Sequence, residues 1–216
     1  MIFEQIVTAG DRTYAYLIGD ESSKKAAVVD PAYSPEDVLA RSGELGLEVV
    51  YLINTHGHGD HTNGNSHVLS HTKAELVTGP GGSGDVTPAD GESLSLGEVD
   101  LTFLHTPGHT SDGVCILATA EGVTPKLCTG DTLFVGKVGG TGFGSDAREE
   151  YDAIHDKIMK LADETEIWPG HNYGVAPSST VEHERETNPF ILRGSFDDFV
   201  DLKRNWEQYK IEHGIK

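Results

Sequence analysis

The segment Thr55-His56-Gly57-His58-Gly59-Asp60-His61 constrains this chain more than any other feature. Three imidazoles and a carboxylate within six positions are costly to place together unless something binds them. They directly follow Glu48-Val49-Val50-Tyr51-Leu52-Ile53, a run whose apolar character predicts a buried strand. Ligands on alternate residues of an extended turn face one side, and the Asp-His pair that begins the next helix can face a second ion. Farther along come His109 in His105-Thr106-Pro107-Gly108-His109-Thr110, Asp131 in Thr129-Gly130-Asp131-Thr132, and His171 in Pro169-Gly170-His171. Each follows a predicted strand and sits at a Gly-marked turn, where side chains from separate strands converge. Imidazole nitrogen together with carboxylate oxygen suits zinc, iron or manganese.

The surroundings of these residues alternate strand and helix signals. Tyr14–Ile18 and Ala26–Asp30 read as strands, separated by a turn at 19–23. Ser34-Pro35-Glu36 opens a helix, with Ser34 as N-cap and Pro35 at the first helical position, ending near Gly46. The middle is β-rich, with strands over 74–77, 99–104, 114–117 and 126–129. The loop from Gly79 to Gly91 lacks the Lys-Ser/Thr of a phosphate-binding loop and is read as plain loop. A helix follows over about Asp146–Leu161, then a strand at 166–168 and helices around Ser179–Glu186 and Phe196–Tyr209. This order predicts helices layered around sheets.

Composition closes off several classes. A formal charge of -19 opposes long-range attraction to nucleic acid or anionic lipid. No apolar run approaches the roughly 18 residues of a membrane span, and the N-terminus shows no secretory signal. Two Cys make no disulfide framework, so a reducing cytosol, and hence a cytoplasmic location, is expected. Cys115 and Cys128 lie on strands that could pair as a hairpin and are read as small buried hydrophobes. His67, His71, His105, His155, His183 and His213 have no spacing that argues ligation, and Trp168 and Trp206 are read as packing residues.

On these residues the chain resembles the metallo-β-lactamase superfamily, whose signature is a His-x-His-x-Asp-His loop plus a later His, Asp and His. All seven positions are filled, and the match spans nearly the whole chain. The resemblance implies an α/β protein, a four-layer αβ/βα sandwich of two mixed sheets with helices on the outer faces. It implies one domain over 1–216, with C-terminal helices over about 178–212 packed on it. It also implies two divalent metal ions, zinc foremost and iron or manganese as alternatives. His56, His58 and His109 would hold one; Asp60, His61 and His171 the other; Asp131 would bridge both. Two such cations hold a water between them and lower its pKa toward neutrality. Asp60, placed to orient the resulting hydroxide, and Asp131 are the candidate catalytic residues.

Within the superfamily the chain looks most like the glyoxalase II and persulfide dioxygenase branch. The carriers are Thr129-Gly130-Asp131-Thr132-Leu133-Phe134, His171-Asn172-Tyr173, the stretch Ser179–Arg185 and Asn188-Pro189-Phe190. An Asp rather than a Cys at the bridging position argues against a true β-lactamase. The chain is also too short past His171 for the full C-terminal helical domain of long glyoxalase II enzymes, so it looks like the shorter relatives. That branch implies a small-molecule thioester substrate linked to glutathione, such as S-lactoylglutathione. Tyr173 matches a glutathione-contacting tyrosine, with plain packing beside the metal loop as its alternative. The basic residue these relatives place some nine positions after the bridging Asp is replaced by Gly140, and Lys137 is the nearest base. The competing reading is persulfide dioxygenation at a single Fe(II) held by His56, His109 and Asp131, although that type's Arg-Thr-Asp segment is missing. A lactonase, a phosphodiesterase and a non-catalytic metal-binding module rank behind these two.

Overall fold

The structure is a computed structural model that describes residues 1–10 and 12–215; Asp11 and Lys216, the latter inside the expected 1–216 domain, lie outside the described residues. Five strands form the first sheet, in sequence order: β1 (Ile2–Val7), β2 (Tyr14–Gly19), β3 (Lys25–Val29), β4 (Glu48–Ile53) and β5 (Glu75–Val77). β1, β2 and β3 pair antiparallel, while β3, β4 and β5 run parallel. The parallel part uses crossover helices, α1 (Pro35–Glu44) before β4, then α2 (Gly59–Thr62) and α3 (Asn65–His71) before β5.

The second half supplies β6 (Ser93–Ser95), β7 (Asp100–His105), β8 (Val114–Ala120) and β9 (Val123–Gly130). A separate hairpin, β10 (Leu133–Phe134) with β11 (Lys137–Val138), precedes β12 (Glu166–Pro169) and β13 (Ser179–Thr180). The second sheet runs β13-β12-β9-β8-β7-β6, antiparallel except for the parallel pair β12 and β9. The remaining helices are α4 (Ser145–Asp156), α5 (Val181–Thr187), α6 (Phe196–Arg204) and α7 (Trp206–His213).

Three apolar layers show why these elements stack. Between the sheets, Tyr16, Ile18, Val29 and Ile53 meet Leu101, Phe103, Ile116 and Cys128. Outside the first sheet, Leu17, Val28 and Leu52 pack on Val38 of α1 and Val68 of α3. Outside the second, Cys115, Leu127 and Ile167 pack on Ala147 and Ile154 of α4 and Phe199 of α6. Strand residues alternate between the two faces, so every central strand is apolar on both and buries each against a different layer. This is the four-layer αβ/βα sandwich. Among the described residues, no helix is long and apolar enough to cross a membrane.

Several local features differ from the sequence reading. Pro35 does occupy the first turn of α1, but the Ser34 hydroxyl accepts from the Ala9 N–H and leaves the helix uncapped. Residues 179 and 180 pair with β12, so α5 starts at Val181, where the Thr180 hydroxyl accepts from the His183 N–H. The helix expected over 196–209 breaks at Asn205, whose side chain donates to the Asp201 carbonyl and competes with the helical ladder. β8 and β9 form the expected hairpin, but its register sets Cys128 opposite Ile116. Cys115 therefore points to the helices and Cys128 to the inter-sheet core, and both are free thiols.

Candidate metal centre

The candidate residues all follow the C-terminal ends of strands. His56 to His61 come after β4, His109 after β7, Asp131 after β9 and His171 after β12. Because β12 is parallel to β9 and two antiparallel steps relate β9 to β7, these ends open on one side of the second sheet. Backbone bonds then join the two sheets at that edge: Val114 N–H donates to the Thr55 carbonyl, and Tyr14 N–H to the Gly170 carbonyl, each at 2.8 Å.

Seven side chains meet there as two compact sets around one carboxylate. In the first, His58 Nδ1 lies 3.0 Å from His56 Nε2 and 3.1 Å from His109 Nε2. In the second, His171 Nε2 lies 3.0 Å from His61 Nε2 and 3.3 Å from Asp60 Oδ2. Asp131 stands between them, with Oδ2 3.6 Å from His109 Nε2 and 3.5 Å from His171 Nε2, and Oδ1 3.5 Å from His61 Nε2.

The outer atoms of these rings decide what the inner atoms offer. His109 Nδ1–H donates to the Gly140 carbonyl at 2.7 Å. His61 Nδ1–H donates to Asp30 Oδ2 at 2.9 Å. The Thr55 hydroxyl gives its proton to Asp30 at 2.6 Å and so accepts from His56 Nδ1–H at 3.1 Å. The Nε2 atoms of His56 and His109 therefore present lone pairs to one small volume, an arrangement that repels itself without a cation. Asp131 Oδ1 is likewise buried with no hydrogen-bond partner. Imidazole lone pairs on His56 and His109, carboxylates and an orphaned buried oxygen fit divalent metal ions.

The electrostatics concentrate negative potential on these donors. Burial opposes a charge on His61, but the carboxylates of Asp30 and Asp131 overcome it and push its pKa up to about 10. Burial, helped by the charge of His61, presses His56 down to about 4. Burial also works against ionised Asp131, yet the charge of His61, its Nε2 3.5 Å away, holds it at about 2.

Asp30 is not singled out by the sequence reading. It ends the apolar run Val28-Val29, precedes Pro31 and takes a left-handed conformation with φ 47°. Asp tolerates that conformation better than most residues, and a strained backbone of this kind is typical of functional sites. Its second oxygen accepts from the Thr55 N–H at 2.9 Å. A polar residue at the mouth of an apolar strand, before a Pro, was the available signal.

The two candidate substrate residues lie beside the second set. The Tyr173 ring stacks on His171, with centroids 4.4 Å apart and planes 3° from parallel. Lys137 Nζ lies 5.5 Å and the Arg12 guanidinium 5.6 Å from the Tyr173 ring centre. Lys137 and Tyr173 line a cavity with Trp206 and Lys210. Burial, then the charge of Lys210, presses the Lys137 pKa down. His67 and His71 stack on each other beside a wider surface hollow, away from all three donor clusters.

Known proteins resemble the chain along most of its length. The model of the metallo-β-lactamase superfamily matches residues 8–171. The mitochondrial persulfide dioxygenase ETHE1 of Homo sapiens is 33% identical over 199 residues, covering 89% of this chain and 76% of that protein. A probable hydroxyacylglutathione hydrolase of Schizosaccharomyces pombe is 36% identical over 200 residues, covering 90% and 75%. The crystal structure of ETHE1 from Myxococcus xanthus superposes with a TM-score of 0.86 at 31% identity, covering 95% of this chain and 91% of that one.

Proposed function

This chain belongs to the metallo-β-lactamase superfamily, and on that premise we propose that it hydrolyses S-acylglutathione thioesters such as S-lactoylglutathione with two divalent metal ions. His56, His58 and His109 would hold one ion, Asp60, His61 and His171 the other, with Asp131 placed to serve both. The observation that carries this reading is the pair of compact three-donor clusters on either side of one shared carboxylate. Ions held there supply Lewis acidity and a water acidified to near-neutral pH.

The chain's own residues then have distinct tasks. Neither cysteine serves as a nucleophile, because both are fully buried and burial pushes the Cys115 thiol up to about 11 and Cys128 upward as well. Asp60 has 31% of its side chain exposed and lies 3.3 Å from His171 Nε2, where it would orient the attacking water. The leaving thiolate, with a conjugate pKa of roughly 8.5, needs little help from a general acid. Lys137, Arg12 and Lys210 gather positive charge around the Tyr173 ring in a protein whose net charge is -19, which supports a substrate bearing carboxylates.

A second reading rests on the similarity to persulfide dioxygenases. His56, His109 and Asp131 then form a two-His, one-carboxylate face for a single Fe(II). One experiment separates the two. The purified protein is given S-lactoylglutathione, followed by loss of thioester absorbance, and glutathione persulfide, followed by oxygen uptake, each with and without chelator. Chelator-sensitive thioester hydrolysis is expected. Oxygen uptake without hydrolysis would replace the first reading by the second.

A further inference from the structure

Residues 172–216 lie beyond the last candidate ligand and beyond the stretch matched by the family model, yet one of their side chains reaches the support of the first donor set. Lys203, on α6, has 6% of its side chain exposed and pairs with Glu150 of α4, whose side chain is fully buried. The Lys203 ammonium also donates to the Gly139 carbonyl at 2.8 Å. The next carbonyl, Gly140, is the one that accepts His109 Nδ1–H.

Glu150 touches the same support from the other side. Gly108, which precedes His109, packs so closely on α4 that a Cβ there would lie 2.5 Å from Glu150 Cβ and 2.7 Å from its backbone nitrogen. A Cβ at Gly139 would collide with the Asp131 carbonyl and lie 3.2 Å from Glu150 Oε1. The backbone and Cβ of Glu150 thus pack on the residue before His109, while the ion pair itself borders the peptide before the carbonyl that orients its ring.

A buried pair of this kind is a poor stabilising device, since desolvation offsets much of its attraction and apolar residues of similar size often do as well. Burial raises the Glu150 carboxyl to about 7 and lowers Lys203 despite their contact, as expected for that desolvation. Glu150 Oε1 moreover has no hydrogen-bond partner. A role in geometry accounts for the pair better than a role in stability.

We propose that Lys203, anchored by Glu150, is a positioning residue for the first donor set: it pins the Gly139–Gly140 peptide so that the Gly140 carbonyl holds the His109 ring with Nε2 toward the ion. The proposal rests on the metal reading of the site and is independent of which reaction the site performs.

The test measures Zn²⁺ affinity of the full chain by competition with a chromogenic chelator, in two backgrounds. His171→Ala isolates the first set, and His58→Ala isolates the second. Lys203→Met keeps the aliphatic stem without the donor, and Glu150→Gln with Lys203→Met removes both charges so that neither is stranded. In the His171→Ala background each change should weaken zinc about 10- to 100-fold, the range for outer partners of a ligand. In the His58→Ala background the effect should stay within roughly twofold. The visible spectrum of Co²⁺ in the first set should shift with the same substitutions. Unchanged affinity in the first set, or equal loss in both sets, would overturn the proposal and leave the pair as packing between α4 and α6. Should Lys203→Met not fold, the charge-free double variant decides. Failure of the unsubstituted chain to bind zinc would overturn the metal reading itself, and the proposal with it.

Discussion

The two donor sets are held in different ways. His61 and His171 have 0% and 1% of their side chains exposed, and His61 is backed by the buried carboxylate of Asp30. His58 is exposed, His109 is partly so, and His109 is backed by a loop carbonyl. A carboxylate behind an imidazole fixes its tautomer and raises its basicity, whereas a carbonyl chiefly orients it. The second set is therefore the more deeply seated, with only Asp60 partly open, while the first joins buried His56 to a more exposed rim at His58 and His109.

That contrast is open to being broken, most severely through Asp30. Asp30→Ala strands a buried imidazolium and two donors of Thr55, and should cost about 3–5 kcal/mol of unfolding free energy in denaturant titrations. His58→Ala, at the exposed rim, should cost no more than about 0.5 kcal/mol. Comparable losses would remove the asymmetry. A milder change, Asp30→Asn, keeps the shape and should weaken zinc in the second set about 10- to 100-fold, and in the first set less, because Asp30 reaches His56 only through the Thr55 hydroxyl. Chelator competition in the His58→Ala and His171→Ala backgrounds checks it.

The pH dependence sharpens the same point. In chelator-treated protein His61, raised from 6.5 to about 10, stabilises the fold fully below its unfolded value and loses that contribution as pH rises through about 10. Asp30, held low, contributes fully above the usual carboxylate range and loses that contribution progressively as pH falls through and below it. The gap in unfolding free energy between the unsubstituted chain and His61→Gln should therefore narrow from pH 6.5 to 10. A flat gap would show that Asp30 does not charge His61. The smallest expected effect lies at the mouth: Lys137→Ala should raise KM for S-lactoylglutathione about fivefold with kcat nearly unchanged, as for loss of uniform binding. Steady-state kinetics would expose a contrary fall in kcat.

Much of the site is legible in the amino-acid sequence. His56, His58, Asp60 and His61 are close in sequence, and their spacing after an apolar strand announces metal chemistry. The strands β4, β7 and β9 are readable for a similar reason, since apolar runs bounded by turn residues encode local geometry. Asp30 is not, because its role depends on β3 lying parallel to β4, with Val29 opposite Ile53, which sets it beside Thr55 and His61. The short strands β6, β10, β11 and β13 and the edge strand β1 also escape the sequence reading. Four of them have only two or three residues, too few to show a period.

The cysteines and Lys203 show where local pattern stops. That β8 and β9 pair could be anticipated; that Cys115 and Cys128 face opposite layers follows from their register alone. Lys203 reads in sequence as one more cation near the end of a helix, where the macrodipole favours it. Only the packing of α6 against α4 brings it to Glu150 and the Gly139 carbonyl. Donor types, their close spacing and the apolar runs belong to neighbouring residues, and the chain spells them out. Which distant residue stands behind each donor is decided by strand register and layer packing, because those contacts join residues that have no local relation to one another.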